Sequence, residues 1–155
     1  MNPSAFTPNQ ANCTFCAILA GHLPTTIVSE DAHAIAVVDL RQFHEGHVLV
    51  IPRRHVSDIR AADDATIVAT MRMVARVSRA VDRCFPLDGL SIWHSAGAGA
   101  NQEVPHLHIH VHPRYVGDGL LRIYPSWAEE PSRITLSAIG EKLRGALDSD
   151  PAMAT

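Results

Sequence analysis

Four histidines at alternate positions, His106, His108, His110 and His112, constrain this chain more than any other feature. In an extended strand, alternate side chains share one face at a spacing of about 6.5–7 Å. The four imidazoles therefore point one way, while Leu107, Ile109 and Val111 point the other. The aliphatic set fixes the register, because a slip of one residue would bury the imidazoles and expose the aliphatics. Three uses of such a row compete: a solvated polar face, a metal site shared by histidines two apart, or acid–base and nucleophilic catalysis by a group that titrates near neutrality. Four histidines in seven residues are a poor accident for a solvated face. The segment Ser95 to Gln102, SAGAGANQ, leads directly towards the row and offers small residues and backbone N–H groups, as phosphate-binding loops do. That combination favours catalysis.

The rest of the chain reads as a small α+β domain. At 155 residues there is room for one domain. Apolar residues make up 46% and charged residues 19%, enough to pack a core and too apolar for wholesale disorder. Residues 1–12 form a polar tail, and the helical spacing of Phe15, Ile18 and Leu19 predicts a short helix ending at Gly21. Strands are expected over 33–39 and 47–52, joined as an antiparallel hairpin by RQFHEG. The clearest helix runs from about Asp64 to Cys84, with Ile67, Met71, Val74, Val77, Ser78 and Val81 on its apolar face. A strand follows near Leu90 to Trp93. The histidine strand is expected over 104–112, stopping at Pro113, and a C-terminal helix over 134–147. Runs of strands around one long helix point to α+β with an antiparallel sheet. The predicted divisions are a tail (1–12), the main domain (13–118) and an extension (119–155). Within the extension, Tyr124 and Trp127, with Glu129 and Glu130, either border a substrate's leaving group or anchor the tail.

Charge and hydropathy narrow the class. Thirteen Lys and Arg against sixteen Asp and Glu leave a formal charge of −3, which argues against a stable nucleic-acid complex held by bulk electrostatics. No apolar run approaches the roughly 18 residues that span a bilayer, and MNPSAFTPNQAN lacks the basic and apolar parts of a secretory signal. A cytoplasmic protein without a membrane partner is expected. Of three cysteines, Cys13 and Cys16 have the spacing of half a zinc site. A redox pair and two buried thiols are the alternatives, although no thioredoxin-like βαβ pattern accompanies them. Cys84 is expected to be a small buried residue.

The segment Gln102 to Arg114, QEVPHLHIHVHPR, resembles the histidine-triad signature, with its preceding Gln and following Pro-Arg. The likeness extends upstream through Val37-Val38-Asp39-Leu40, through His47 to Pro52, and to His55, covering roughly residues 13–115. It implies a five-stranded antiparallel sheet flanked by helices in a single domain, usually a homodimer, that hydrolyses or transfers nucleotides. His108 would attack the α-phosphorus of a nucleotide conjugate, and water would release the nucleoside monophosphate. His110 and His47 would hold phosphate oxygens and manage the leaving group's proton. The ribose would meet Asp39, and Leu40, Phe15, Ile18 and Val37 would wall a purine base. Ser95, Gln102, Glu103 and Val104 complete the implied nucleotide contacts. A zinc-containing bacterial-type branch implies a structural zinc on Cys13, Cys16, His55 and His106.

The chain departs from the pattern at Ser95, where Asn or Gln is common, and at Asn101, where Gly is usual. Glu103 replaces a small hydroxyl residue, and His112 replaces an aliphatic. Three function classes are therefore compatible with the sequence. They are a phosphoramidase or dinucleoside polyphosphate hydrolase working through His108, a nucleotide-binding regulator with little turnover, and a metal-dependent hydrolase built on the histidine row.

Overall fold

The computed structural model describes residues 12–120 and 129–149. The chain divides into two compact units, one running to Asp118 and the other beginning at Gly119. The first holds one antiparallel sheet of five strands: β1 (Ile27–Glu30), β2 (Ala34–Val38), β3 (Val48–Pro52), β4 (Gly89–Trp93) and β5 (Ile109–Arg114). Their spatial order is β1-β2-β3-β5-β4, so the last strand inserts between the hairpin partner β3 and the edge strand β4. Helix α1 (Thr14–Leu19) precedes the sheet in sequence, and α2 (Asp64–Cys84) links its two halves. This is the α+β architecture, with a five-stranded antiparallel sheet and flanking helices, that the sequence predicts.

Alternation along the strands gives the sheet two dry faces. Ala34, Ala36, Val48, Val50, Ile109 and Val111 pack against Met73, Val74, Val77 and Val81 of α2. On the opposite face, Ile35, Val37, Leu49 and Ile51 pack against Cys13, Phe15 and Cys16 at the start of α1. The imidazoles of the histidine row share this second face, because His110 pairs in register with Leu49 of β3 and with Trp93 of β4.

Several local expectations change. The apolar face of α2 carries Thr70 and Met73, both buried, whereas Met71 is 43% exposed. Thr70 is tolerated inside because its hydroxyl donates to the Thr66 carbonyl at 2.7 Å. Cys84 is exposed at the helix end rather than buried. β5 begins at Ile109, later than expected, and continues through Pro113. Pro113 lies beyond the residues that pair with β3, where β5 has a neighbour on one side only, and a proline is accommodated there. Strand β1 has no counterpart in the sequence reading. It is short, mostly exposed and bulged between Ile27 and Ser29, so it carries no period-two signal.

The β2–β3 connection is knitted by Gln42. Its Nε2 donates to the carbonyls of Asp39 (2.6 Å) and His47 (2.8 Å), and its Oε1 accepts from the N–H groups of Gly46 (2.9 Å) and His47 (3.1 Å). Gly46 is required here: its φ is +101°, and a Cβ would sit 2.5 Å from the Phe85 ring.

In the second unit, helix α3 (Arg133–Asp148) is capped by Ser132, whose hydroxyl accepts from the Thr135 N–H at 3.2 Å. Tyr124 and Trp127 lie outside the described residues.

Core placement on α2 yields a direct test. Met73→Ala should cost about 2–5 kcal/mol of unfolding free energy, and Met71→Ala no more than about 0.5 kcal/mol. Urea denaturation of the two variants measures the difference. Equal losses would contradict the observed helix face.

Candidate active site and metal centre

The histidine row splits into two functional groups because β5 starts after His108. Before that point the backbone bonds elsewhere: the His106 N–H donates to the Val104 carbonyl (2.8 Å) and the Leu107 N–H to the Val56 carbonyl (2.7 Å). His106 is completely buried. Its Nε2–H donates to the Pro52 carbonyl at 2.9 Å, which leaves the Nδ1 lone pair facing Cys13 Sγ (3.5 Å), Cys16 Sγ (3.6 Å) and His55 Nδ1 (3.2 Å). Cys16 Sγ lies 3.3 Å from His55 Nδ1.

Four soft or borderline donors thus converge within 4.8 Å of one another. A tetrahedron with metal–ligand bonds of about 2.0–2.3 Å has edges of about 3.3–3.8 Å, which brackets most of these separations. The chemistry of the set agrees. Burial, together with the neighbouring Cys13, pushes the Cys16 thiol up to about 12, so two thiolates need a cation between them. Burial likewise pulls His106 down to about 4, keeping its ring neutral and able to ligate. The Pro52 carbonyl fixes the tautomer in which Nδ1 would be free to ligate. Cys13 is also the N-cap of α1, its sulfur accepting from the Cys16 N–H at 3.5 Å.

His108 forms the centre of the second group. Its Nδ1 lies 2.7 Å from the His106 carbonyl, an acceptor only, so the proton resides on Nδ1 and Nε2 carries the lone pair. Burial lowers its pKa, keeping the ring neutral. Phe15 packs edge-on against it with ring centroids 5.0 Å apart.

His47 and His110 form a bonded pair beside it. His47 Nδ1 donates to the Arg41 carbonyl (3.0 Å) and lies 3.5 Å from Asp39 Oδ2. His47 Nε2 therefore accepts, and His110 Nδ1 donates to it at 2.9 Å. His110 is held down to about 3 by burial, then by repulsion from His108 and His47. Its ring stacks flat on Trp93, with centroids 4.2 Å apart and planes 3° from parallel.

The structure gathers most of the other expected site residues nearby. Asp39 Oδ1 caps the turn by accepting from the Arg41 N–H (2.8 Å), while Oδ2 faces His47. Phe15 and Val37 are buried together, with Ile18 and Val104 packed against them. Leu40 stands apart from that cluster, 96% exposed. Gln102 spans its loop: its Oε1 accepts from the Gly97 N–H (2.8 Å) and its Nε2 donates to the Ser57 carbonyl (2.6 Å). Ser95 is half-buried in the same loop. Glu103 forms a two-pronged ion pair with Arg41. His112 is buried between His44, His47 and Trp93, and its Nδ1 has no hydrogen-bond partner among the described residues.

Sequence reasoning missed His94, Trp93 and Arg41. His94 Nδ1 donates to the His108 carbonyl at 2.9 Å and so braces the row from just beyond β4. Trp93 ends β4 and His94 follows it, next to the glycine-rich loop, which is a usable signal. The contact of Arg41 with His47 is made by its backbone carbonyl, which no side-chain pattern reveals.

The antiparallel sheet thus carries a neutral, tautomer-locked imidazole beside an imidazole pair, together with a cluster of two cysteines and two histidines. Residues 20–117 match the HIT domain, and the chain belongs to that family. It is 34% identical over 139 residues to the protein hit of Bacillus subtilis, covering 89% of this chain and 96% of that one. It resembles the crystal structure of a zinc-bound histidine triad family protein from Mycobacterium smegmatis, with 33% identity, 90% and 98% coverage, and a TM-score of 0.67. It is also 30% identical over 124 residues to the adenylylsulfatase HINT3 of Arabidopsis thaliana, covering 80% of this chain and 60% of that protein. No helix among the described residues is long and apolar enough to cross a membrane.

The depressed imidazoles make stability depend on pH. His110 titrates near 6.5 when unfolded and about 3 when folded, so between these values the unfolded chain binds more protons. Its contribution is present above pH 6.5 and is lost as pH falls towards 3. The urea midpoint should therefore drop between pH 7 and pH 5, less steeply in His110→Gln. Identical midpoints at the two pH values would contradict this.

Proposed function

We propose that the protein is a nucleotide hydrolase or transferase that attacks the α-phosphate of a purine nucleotide conjugate through His108. The observation that carries the reading is the His108 Nδ1–H bond to the His106 carbonyl, which leaves Nε2 unprotonated beside the His47–His110 pair. A fixed tautomer of a neutral imidazole is what nucleophilic attack requires.

In the first half-reaction, His108 Nε2 forms a bond to phosphorus and the bond to the leaving group breaks. The negative charge of the phosphate favours the protonated form of the His47–His110 pair, so binding loads the proton that the leaving group takes away. Water then attacks the same phosphorus. The N–P bond breaks, nucleoside monophosphate departs, and the proton lost by water returns to the pair. Asp39 holds the ribose hydroxyls, and Phe15, Ile18, Val37 and Leu40 contact the base. The exposure of Leu40 leaves apolar surface for a base to cover. Ser95, Gln102, Glu103 and Val104 shape the phosphate side, Gln102 by bracing the loop.

Cys13, Cys16, His55 and His106 are the residues that would hold a structural zinc. When bound, it would tie the start of α1 to the base of β5 with all four positions filled by protein. His106 would then serve the ion through Nδ1 and His108 through its carbonyl. The zinc-bound relative supports this assignment, and the adenylylsulfatase supports a nucleotide conjugate as substrate. A homodimer in the cytoplasm, with no nucleic-acid partner, completes the reading.

Release of adenosine monophosphate from adenosine 5′-phosphoramidate and from a diadenosine polyphosphate is the direct assay. His108→Asn should reduce it by at least about a thousandfold, the order expected when one member of a cooperating set is removed. Undiminished release in that variant would overturn the role of His108. Bound adenosine monophosphate without turnover in the wild type would favour the regulator instead.

Zinc content should be close to one ion per chain, and Cys16→Ser should lower it. Chelation should lower the thermal midpoint more than it slows turnover. An unchanged midpoint after removal of the metal would contradict a structural ion.

A further inference from the structure

At the mouth of the site, one residue outside the triad pattern faces one that departs from it. The Arg41 backbone is pinned inside the site: its N–H donates to Asp39 Oδ1 (2.8 Å) and its carbonyl accepts from His47 Nδ1 (3.0 Å). Its guanidinium reaches across to the loop before β5. There Nη1 donates to Glu103 Oε1 (2.9 Å) and Nη2 to Oε2 (2.6 Å). Glu103 follows Gln102, whose amide is held at both ends, so each partner hangs from a braced backbone.

The carboxylate also senses the catalytic imidazoles. Arg41 first, and His108 and His110 to a smaller extent, hold Glu103 below the usual carboxylate range. Glu103 is therefore ionised at neutral pH, close to where an anionic substrate must sit. Both side chains are largely exposed, at 70% and 65%. Such an exposed pair is weakly held and screened by solvent, so a better ligand for the guanidinium would open it. A sulfate or terminal phosphate is such a ligand, because it matches the arginine fork. Taking Arg41, however, strands the Glu103 carboxylate beside the incoming anion. The pair thus offers a cation and charges for it in repulsion.

We propose that the Arg41–Glu103 pair is a charge filter on the leaving group. By occupying Arg41, Glu103 biases the site against leaving groups that add negative charge beyond the α-phosphate. Conjugates whose leaving group is uncharged, such as the amine of a phosphoramidate, meet no such penalty. The inference rests on the nucleotide-conjugate reading above and assigns the selectivity within it to two residues. It also accounts for Glu103 at a position where a small hydroxyl residue is usual: the carboxylate is neutralised by Arg41 rather than left facing phosphate.

The test compares wild type, Glu103→Gln, Arg41→Gln and the double variant. One readout is kcat/KM for adenosine 5′-phosphosulfate and diadenosine tetraphosphate relative to adenosine 5′-phosphoramidate. A second, independent of turnover, is the affinity for ADP relative to AMP, measured by calorimetry on the same four proteins in the His108→Asn background. Glu103→Gln frees Arg41 and should raise both ratios about tenfold, an effect that shrinks in high salt. Arg41→Gln should lower both ratios, and the double variant should return close to wild type. Glu103→Asp, which keeps the charge, should stay closer to wild type than Glu103→Gln does. An ADP-to-AMP ratio that moves less than twofold in both single variants would overturn the filter and leave the pair as a loop clasp. Absence of turnover on every conjugate would defeat the hydrolase reading, while the affinity ratio would still decide the filter.

Discussion

The site depends on three contacts made by one residue. His106 gives its ring Nε2–H to the Pro52 carbonyl, turns its Nδ1 into the cysteine cluster, and offers its main-chain carbonyl to His108. The bonds to Pro52 and to His108 each fix a tautomer, so a single buried residue determines which nitrogen of each ring keeps its lone pair. The backbone permits this because it leaves the sheet ladder at His106 and Leu107, bonding to Val104 and Val56 instead. A strand continued through these residues would commit the His106 carbonyl to a neighbouring strand.

The second consequence is electrical. His106, His108, His110 and His112 all titrate below their ordinary value, and burial is the leading cause in each case. A cluster of neutral imidazoles carries no charge repulsion of its own. Trp93 stacked on His110, and Phe15 against His108, exclude water and sustain that state. Arg41 and Glu103 lie outside the dry zone, where opposite charges can separate cheaply.

Much of this was legible in the sequence, and the losses have physical causes. The alternation identified the face shared by His110 and His112, which lie in β5, because sheet geometry has a strict period of two; the backbone of His106 and His108, which precede the strand, departs from that expectation. The Cys13–Cys16 spacing and the resemblance together named the four residues that the fold gathers into one cluster. Helix α2 matched to the residue because Asp63 caps it, accepting from the Thr66 N–H at 2.9 Å. Its buried face was misread by a fraction of a turn: Thr70 satisfies its own hydroxyl and so behaves as an apolar residue. β1 was invisible because an exposed, bulged edge strand has no buried alternation to show. The contribution of Arg41 to His47 is a main-chain carbonyl, which every residue possesses. That of His94 is a bond to another main-chain carbonyl, whose position only the fold determines.

Protonation at individual ring nitrogens is the central claim, and long-range ¹H–¹⁵N correlation spectra of histidine-labelled protein read it directly. The account predicts His108 as the Nδ1–H tautomer with a free Nε2, and His106 as the Nε2–H tautomer, both neutral at pH 7. An Nε2–H or doubly protonated His108 at that pH would contradict it.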